Sequence, residues 1–180
     1  MRRDKFVLVL ESLDEKGLWP MTDTSKKKVY LEDYHTGERW VTPGRTLTET
    51  DIINYAGLTG DWHPIHTNVE YARTTPFGER IAHGLLVLAM GSALIFRLGE
   101  HILFPKTFIA FYGMDQVRFV GPAKIGDTLH CEAEVVALEI KDEKRGILVC
   151  KNAIRNQRGE DVVMYTTRFL VGRRPLGQSH

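Results

Sequence analysis

The residues equipped for chemistry fall in one stretch, Thr59-Gly60-Asp61-Trp62-His63-Pro64-Ile65-His66, and its continuation Phe77-Gly78-Glu79-Arg80-Ile81-Ala82-His83-Gly84. Asp61 and His66, a carboxylate and an imidazole able to flank one water, can act as a base and an acid. A histidine with an ordinary pKa of about 6.5 is poised near neutrality. A positioned acid or base contributes roughly 10²–10⁴-fold in rate. The plainer alternative has Asp61 capping a turn and His66 as an ordinary loop histidine. Gly84 opens a long uncharged run that reads as a helix. Its N–H is then one of the first amides, with no intrahelical partner and at the positive end of the dipole. With no Cβ in the way, this N–H suits an oxyanion donor, and such donors are worth about 10²–10³ in rate. The alternative is a glycine chosen for packing. A third reading takes Asp61, His63, His66 and His83 as an oxygen-and-nitrogen set suited to Zn or Fe. Against it, Pro64 is expected to forbid a helical i,i+3 pairing of His63 with His66.

Such groups need elements to hold them. Arg45 to Thr48 alternates as a strand, and Thr48 with Asp51 three residues on is a helix N-cap signature. The helix predicted over Glu49 to Leu58 puts Ile52, Ile53, Tyr55 and Ala56 on one side. Thr59-Gly60 stops it, leaving the Asp/His cluster in a loop past the helix terminus. Asn68 is the expected N-cap of a short helix to Thr74, broken by Thr75-Pro76-Phe77-Gly78. Gly84 to Phe96 is apolar nearly all round, the mark of a fully buried helix. The small residues Ala89, Gly91, Ser92 and Ala93 let a neighbour pack very close to it. Upstream, Val29 to Tyr34 and Arg39 to Thr42 read as short extended pieces around a His35-Thr36-Gly37 turn. Downstream, Phe108 to Phe119, Thr128 to Glu139, Gly146 to Asn156 and Val162 to Val171 are strand-like, rich in β-branched and aromatic residues. Turns at Gly121-Pro122, Lys141 to Lys144 and Gln157 to Glu160 separate them. A buried helix followed by a strand meander predicts an α+β fold, an antiparallel sheet wrapped around one long central helix.

The 180-residue length suits one domain with an extension. Residues 1–28 are expected to be an N-terminal appendage and residues 29–180 the domain. With 43% hydrophobic residues the chain can bury a core. Its 24 Lys+Arg against 23 Asp+Glu leave a net charge of +1, which gives no support for a nucleic-acid partner. Cys131 and Cys150 lie in predicted strands without metal-ligand spacing, so reduced core thiols and a cytoplasmic location are expected. The apolar run Phe6 to Leu10 is broken by Glu11 and Asp14 and lacks a small-residue cleavage site, unlike a signal peptide. Ile81 to Phe96 falls short of the roughly 20 residues a bilayer needs. A soluble protein with no membrane partner is the expectation.

Gly60-Asp61-Trp62-His63-Pro64-Ile65-His66 resembles the Gly-Asp-x-Asn-Pro-[Leu/Ile/Val]-His signature of the R-specific enoyl-CoA hydratases, also called MaoC-like dehydratases. The similarity continues through Ala72, Phe77-Gly78, Ile81-Ala82-His83-Gly84 and Ser92. It also takes in Gln116-Val117-Arg118-Phe119, Val120-Gly121-Pro122 and Ile125-Gly126-Asp127, so that it runs from about Thr46 to the C-terminal strand. The resemblance implies a hotdog fold, in which the sheet wraps the central helix and pairs with a second copy in a dimer. It implies that Asp61 and His66 hold and activate the water that adds to a trans-2-enoyl-CoA, and that the Gly84 N–H binds the thioester oxygen. Ser92 matches a serine that reaches the site from the central helix, and His83, Trp62 and His63 are expected beside the substrate. One position departs from the pattern. The asparagine of the signature is His63 here, which either keeps a structural hydrogen bond in the loop or changes the site's pH response or substrate.

Hydrating an enoyl thioester needs a base for water, a proton for C2 and stabilisation of enolate charge, with no net oxidation or reduction. The expectation is therefore a hydro-lyase acting reversibly on an acyl-CoA thioester, a homodimer or larger, with no metal. No cofactor is expected beyond the coenzyme A of the substrate. The alternatives are a hotdog acyl-CoA thioesterase and a non-catalytic acyl-CoA-binding module, since a fold does not dictate a function. Arg73, Arg80 and Arg97 are candidates for a second substrate carboxylate or the coenzyme A phosphates, with plain surface arginines as the alternative.

Overall fold

The strand-forming residues of the C-terminal half pair as their alternation predicts. The computed structural model describes residues 27–177. Two short strands, β1 (Arg39–Val41) and β2 (Arg45–Thr46), precede four long ones, β3 (Phe108–Phe119), β4 (Thr128–Ile140), β5 (Arg145–Arg155) and β6 (Asp161–Gly172). All pair antiparallel in the order β1-β4-β5-β6-β3, with β2 also on β4. Along β4 buried and half-buried residues alternate, the period-2 pattern of a strand with one face on the core. Strand β3 lies at the sheet's edge and shifts register three times against β6, once around Gln116, a non-glycine residue at φ 53°. Bulges of this kind bend a strand and break up an exposed edge.

Four helices lie between β2 and β3: α1 (Glu49–Thr59), α2 (Pro64–Thr67), α3 (Val69–Arg73) and α4 (Gly84–Ala93). The capping signature of α1 is realised in full. The Thr48 hydroxyl accepts from the Asp51 N–H while the Asp51 carboxylate accepts from the Thr48 N–H, and Gly60 closes the helix in the left-handed region at φ 78°. Val87 and Met90 of α4 pack into a core with Leu129, Cys131, Val135, Leu148, Ile154 and Val163 of the sheet. Gly91 is what allows that approach, because a Cβ there would sit 2.3 Å from Ile154 Cδ1. Each fully buried side chain of this size contributes about 1.5–3 kcal/mol. Cys131 and Cys150 are free and buried in the same core.

Several expectations need correction. Val29 to Tyr34 is not extended throughout, because Leu31–Asp33 winds into a 3-10 turn as the Asp33 carboxylate accepts from the N–H groups of Val29 and Tyr30. The strand expected over Arg45 to Thr48 stops at Thr46. Ile53 points outward rather than joining Ile52 and Ala56. The central helix ends at Ala93 and tightens into a 3-10 turn over Leu94–Leu98. Nor is it buried all round, because the sheet covers one side only and leaves Leu85 (59% exposed) and Phe96 (65%) open. The expected N-terminal appendage lies, apart from Lys27 and Lys28, outside the described residues. Lys28 donates its N–H to His101 O and pairs with Glu38.

Candidate active site

The loop after α1 is built from local hydrogen bonds. Gly60 reverses the chain, and the Asp61 carboxylate then accepts the His63 N–H at 3.2 Å. His63 caps α2, its ring Nδ1 accepting the Ile65 N–H at 3.2 Å. Pro64 takes the first helical position, where its missing N–H is no loss and its fixed φ suits the helix. Contrary to the expectation, Pro64 therefore starts a helical turn, and the His66 N–H reaches His63 O at 3.0 Å.

A second segment holds the histidine rings. Ile81 O receives the His66 Nδ1 proton at 2.7 Å, so the neutral ring leaves Nε2 as a bare lone pair. Ile81 is itself held by its N–H to Ile65 O, and Ala82 N–H bonds Ala123 O. His83 is buried, and its Nε2 donates to the backbone oxygen of Asp61 at 2.9 Å. Its ring packs at a tilt against His66, with centroids 3.8 Å apart at 31°, and against Tyr55 at 4.9 Å and 49°. The start of α4 is thus clamped to the Asp61 loop. Burial is the main cause that moves the His66 pKa below the ordinary histidine value. The nearby His83 and His63 push the same way, against the Ile81 carbonyl and Asp61.

Ligand atoms of Asp61, His66 and His83 lie within 4.8 Å of one another. The fourth residue of the imagined metal set, His63, is not in this group, its Nδ1 being engaged in the cap. Two ligands on a tetrahedral zinc sit roughly 3.3 Å apart with lone pairs aimed at one point. His66 Nδ1 is engaged by Ile81 O and His83 Nε2 by Asp61 O, so each ring has one nitrogen left for such a role.

Gly84 is the first residue of α4, and its N–H has no hydrogen bond among the described residues. The ring of Phe119 lies against it, where a Cβ would be 2.8 Å from Cδ1. Both readings of this glycine, an open amide and close packing, are therefore met in the structure. A cleft of about 540 Å³ opens here, lined by His66, Phe77, Ile81, Gly84, Phe119 and Val162 among others, with no Asp, Glu, Lys or Arg in its wall. The structure gathers Asp61, His66, His83 and Gly84. Ser92 is not among the cleft residues, its hydroxyl turning back to Ala89 O. Trp62 is 53% exposed beside the loop. The three arginines are engaged elsewhere: Arg73 with Glu70, Arg80 with Glu49 and Arg97 with Gly44 O. Sequence reasoning gave no site role to Phe119, Tyr55 or the Ile81 carbonyl, because only the fold brings β3, α1 and the segment before α4 to one place.

The MaoC-like domain family matches residues 33–157. Over 136 residues the chain is 33% identical to a 3-hydroxybutyryl-CoA dehydratase of Methylorubrum extorquens, covering 76% of this chain and 79% of that protein. It is 38% identical over 109 residues to an (R)-specific enoyl-CoA hydratase of Rhodospirillum rubrum, covering 61% and 71%. It is also 35% identical to the protein MaoC of Klebsiella aerogenes over 115 residues, which cover 64% of this chain and only 33% of that longer protein. The crystal structure of a MaoC-like dehydratase from Rhodospirillum rubrum superposes with a TM-score of 0.71 at 31% identity, covering 82% of this chain and 99% of that one. A Mycobacterium tuberculosis protein described as a double hotdog fold superposes at 0.64 over 85% of this chain and 47% of that one, and its 18% identity speaks for the fold alone. With an antiparallel sheet laid over one central helix, the chain has the hotdog fold and belongs to the MaoC-like domain family.

Proposed function

We propose that the chain catalyses the reversible, R-specific hydration of a trans-2-enoyl-CoA, with Asp61 and His66 as the reacting pair. The observation that carries this is the commitment of His66 Nδ1 to Ile81 O, which leaves Nε2 for the chemistry, in a group where ligand atoms of Asp61 and His66 lie within 4.8 Å of each other. In the hydration direction, Asp61 accepts one hydrogen bond from a water and orients it. His66 Nε2 takes the water's other proton as the oxygen bonds C3, and the displaced electron pair moves to the thioester oxygen. The Gly84 N–H receives that charge. Protonated His66 returns its proton to C2, so one water has added and both groups are restored. The uncharged cleft wall fits a neutral, apolar acyl chain better than a dicarboxylic one. R-specificity rests on the likeness to the Rhodospirillum rubrum hydratase.

The active form we infer is a homodimer. What supports this is apolar exposure at Leu85 of α4, at Phe96 in the 3-10 turn after it, and at Ile109, Phe111 and Tyr112 of the edge strand β3. The free, buried Cys131 and Cys150 suit a reducing, cytoplasmic compartment. A panel of enoyl-CoAs of graded length, including a branched dicarboxylic one, tests the reading. Hydration consumes enoyl absorbance without releasing thiol. Free coenzyme A appearing at the same rate would instead make the protein a thioesterase, and no turnover across the panel a binding module.

A further inference from the structure

Resting on Asp61 and His66 as the reacting pair, we infer that His63 is the positioning residue that sets them, through a helix cap built on an imidazole nitrogen. His63 is bonded to every part of the loop. Its N–H holds the Asp61 carboxylate, its Nδ1 accepts the Ile65 N–H, and its carbonyl accepts from the His66 N–H and the Thr67 hydroxyl. Helix α2 is a single turn, too short to form without help from its ends. The cap therefore controls whether His66 stands on a formed turn with Nδ1 aimed at Ile81 O.

An imidazole cap differs from a carboxamide or hydroxyl cap in one respect. It accepts only while Nδ1 is bare, in the tautomer with the proton on Nε2. With a proton on Nδ1 the ring would set one N–H against another. The groups facing the His63 ring are Asp61 and His66 from its own segment and Tyr71 from α3. The His66 ring stands at 6.2 Å and the Tyr71 ring edge-on at 5.9 Å.

The test combines steady-state kinetics of the parent, His63→Asn and His63→Ala with NMR of ¹⁵N-histidine-labelled protein. At pH 8, His63→Ala should lose about fivefold in kcat with KM nearly unchanged, equivalent to the ~1 kcal/mol typical of a lost cap. His63→Asn should regain most of that loss, its carboxamide oxygen capping the same amide. NMR should find His63 Nδ1 unprotonated at pH 8, and an Ile65 amide that shifts in His63→Ala and returns toward the parent in His63→Asn. The inference is overturned by parental kcat in His63→Ala, by a His63→Asn no faster than His63→Ala, by a protonated Nδ1 at pH 8, or by an Ile65 amide indifferent to His63. A fully active Asp61→Asn would instead sink the catalytic reading, and the cap would then stand or fall on the NMR result.

Discussion

Gly84 offers the sharpest separation of packing from chemistry, because both readings are present at one atom. In Gly84→Ala the new Cβ would lie 2.8 and 2.9 Å from Cδ1 and Cε1 of Phe119. Carbon atoms in contact prefer about 3.5–4.0 Å, so the ring must retreat by roughly 0.7 Å or more. Phe119 is 51% exposed and can swing outward, at about 0.5–1.5 kcal/mol if it leaves its rotamer. Replacing glycine by alanine in a helix returns about 0.5–1 kcal/mol. The two nearly cancel, so the variant should unfold within ~1 kcal/mol of the parent, a shift of no more than about 2–4 °C in Tm. Catalysis should respond quite differently. A methyl group and a displaced ring beside the open amide would exclude the thioester oxygen, for a loss on the order of 10²-fold in kcat. Steady-state hydration of an enoyl-CoA by Gly84→Ala, Phe119→Ala and the double variant completes the cycle. If the amide is the oxyanion donor, removing the ring leaves the methyl in place, and the double variant remains slow. Recovery of the double variant to the rate of Phe119→Ala would refute the reasoning and leave Gly84 as a packing residue.

Burial is the main cause holding the His66 pKa below the ordinary value, and the proposed base works uncharged. Activity should therefore be full above pH 6.5 and fall as pH drops, with a midpoint below 6.5 in a kcat/KM profile. Because the unfolded chain binds this proton more readily than the folded one, His66 should also make stability rise with pH through that same window, as denaturation at a series of pH values would reveal. At Gly91, alanine would bring a Cβ to 2.3 Å from Cδ1 of the fully buried Ile154. Thermal unfolding should show a loss of about 1–3 kcal/mol, and adding Ile154→Val, which deletes that carbon, should recover part of it.

Local features were the legible ones. Thr48 with Asp51 announces α1, Asn68 announces α3, and the four long strands stand out by β-branched content, because each signal lies within a few residues of what it controls. Coverage was not legible in the same way. Leu85 and Val87 look alike in the run that begins at Gly84, and only the sheet's position makes one exposed and the other buried. The candidate site divides similarly. Asp61, His66 and Gly84 stand out by type and spacing, whereas the bond from His83 to Asp61 O joins positions whose meeting depends on the whole loop. Pro64 misled because its two effects, breaking a helix and starting one, depend on a boundary that the sequence does not mark.

The most direct test of the central claim is the single-turnover hydration rate of Asp61→Asn, His66→Ala and the double variant, on the enoyl-CoA that the parent turns over fastest. The account predicts a loss of about 10²–10⁴-fold for each single variant. It also predicts a double variant hardly slower than the worse single, since groups that handle one water act as a unit. A correctly folded Asp61→Asn or His66→Ala that hydrates as fast as the parent would contradict it.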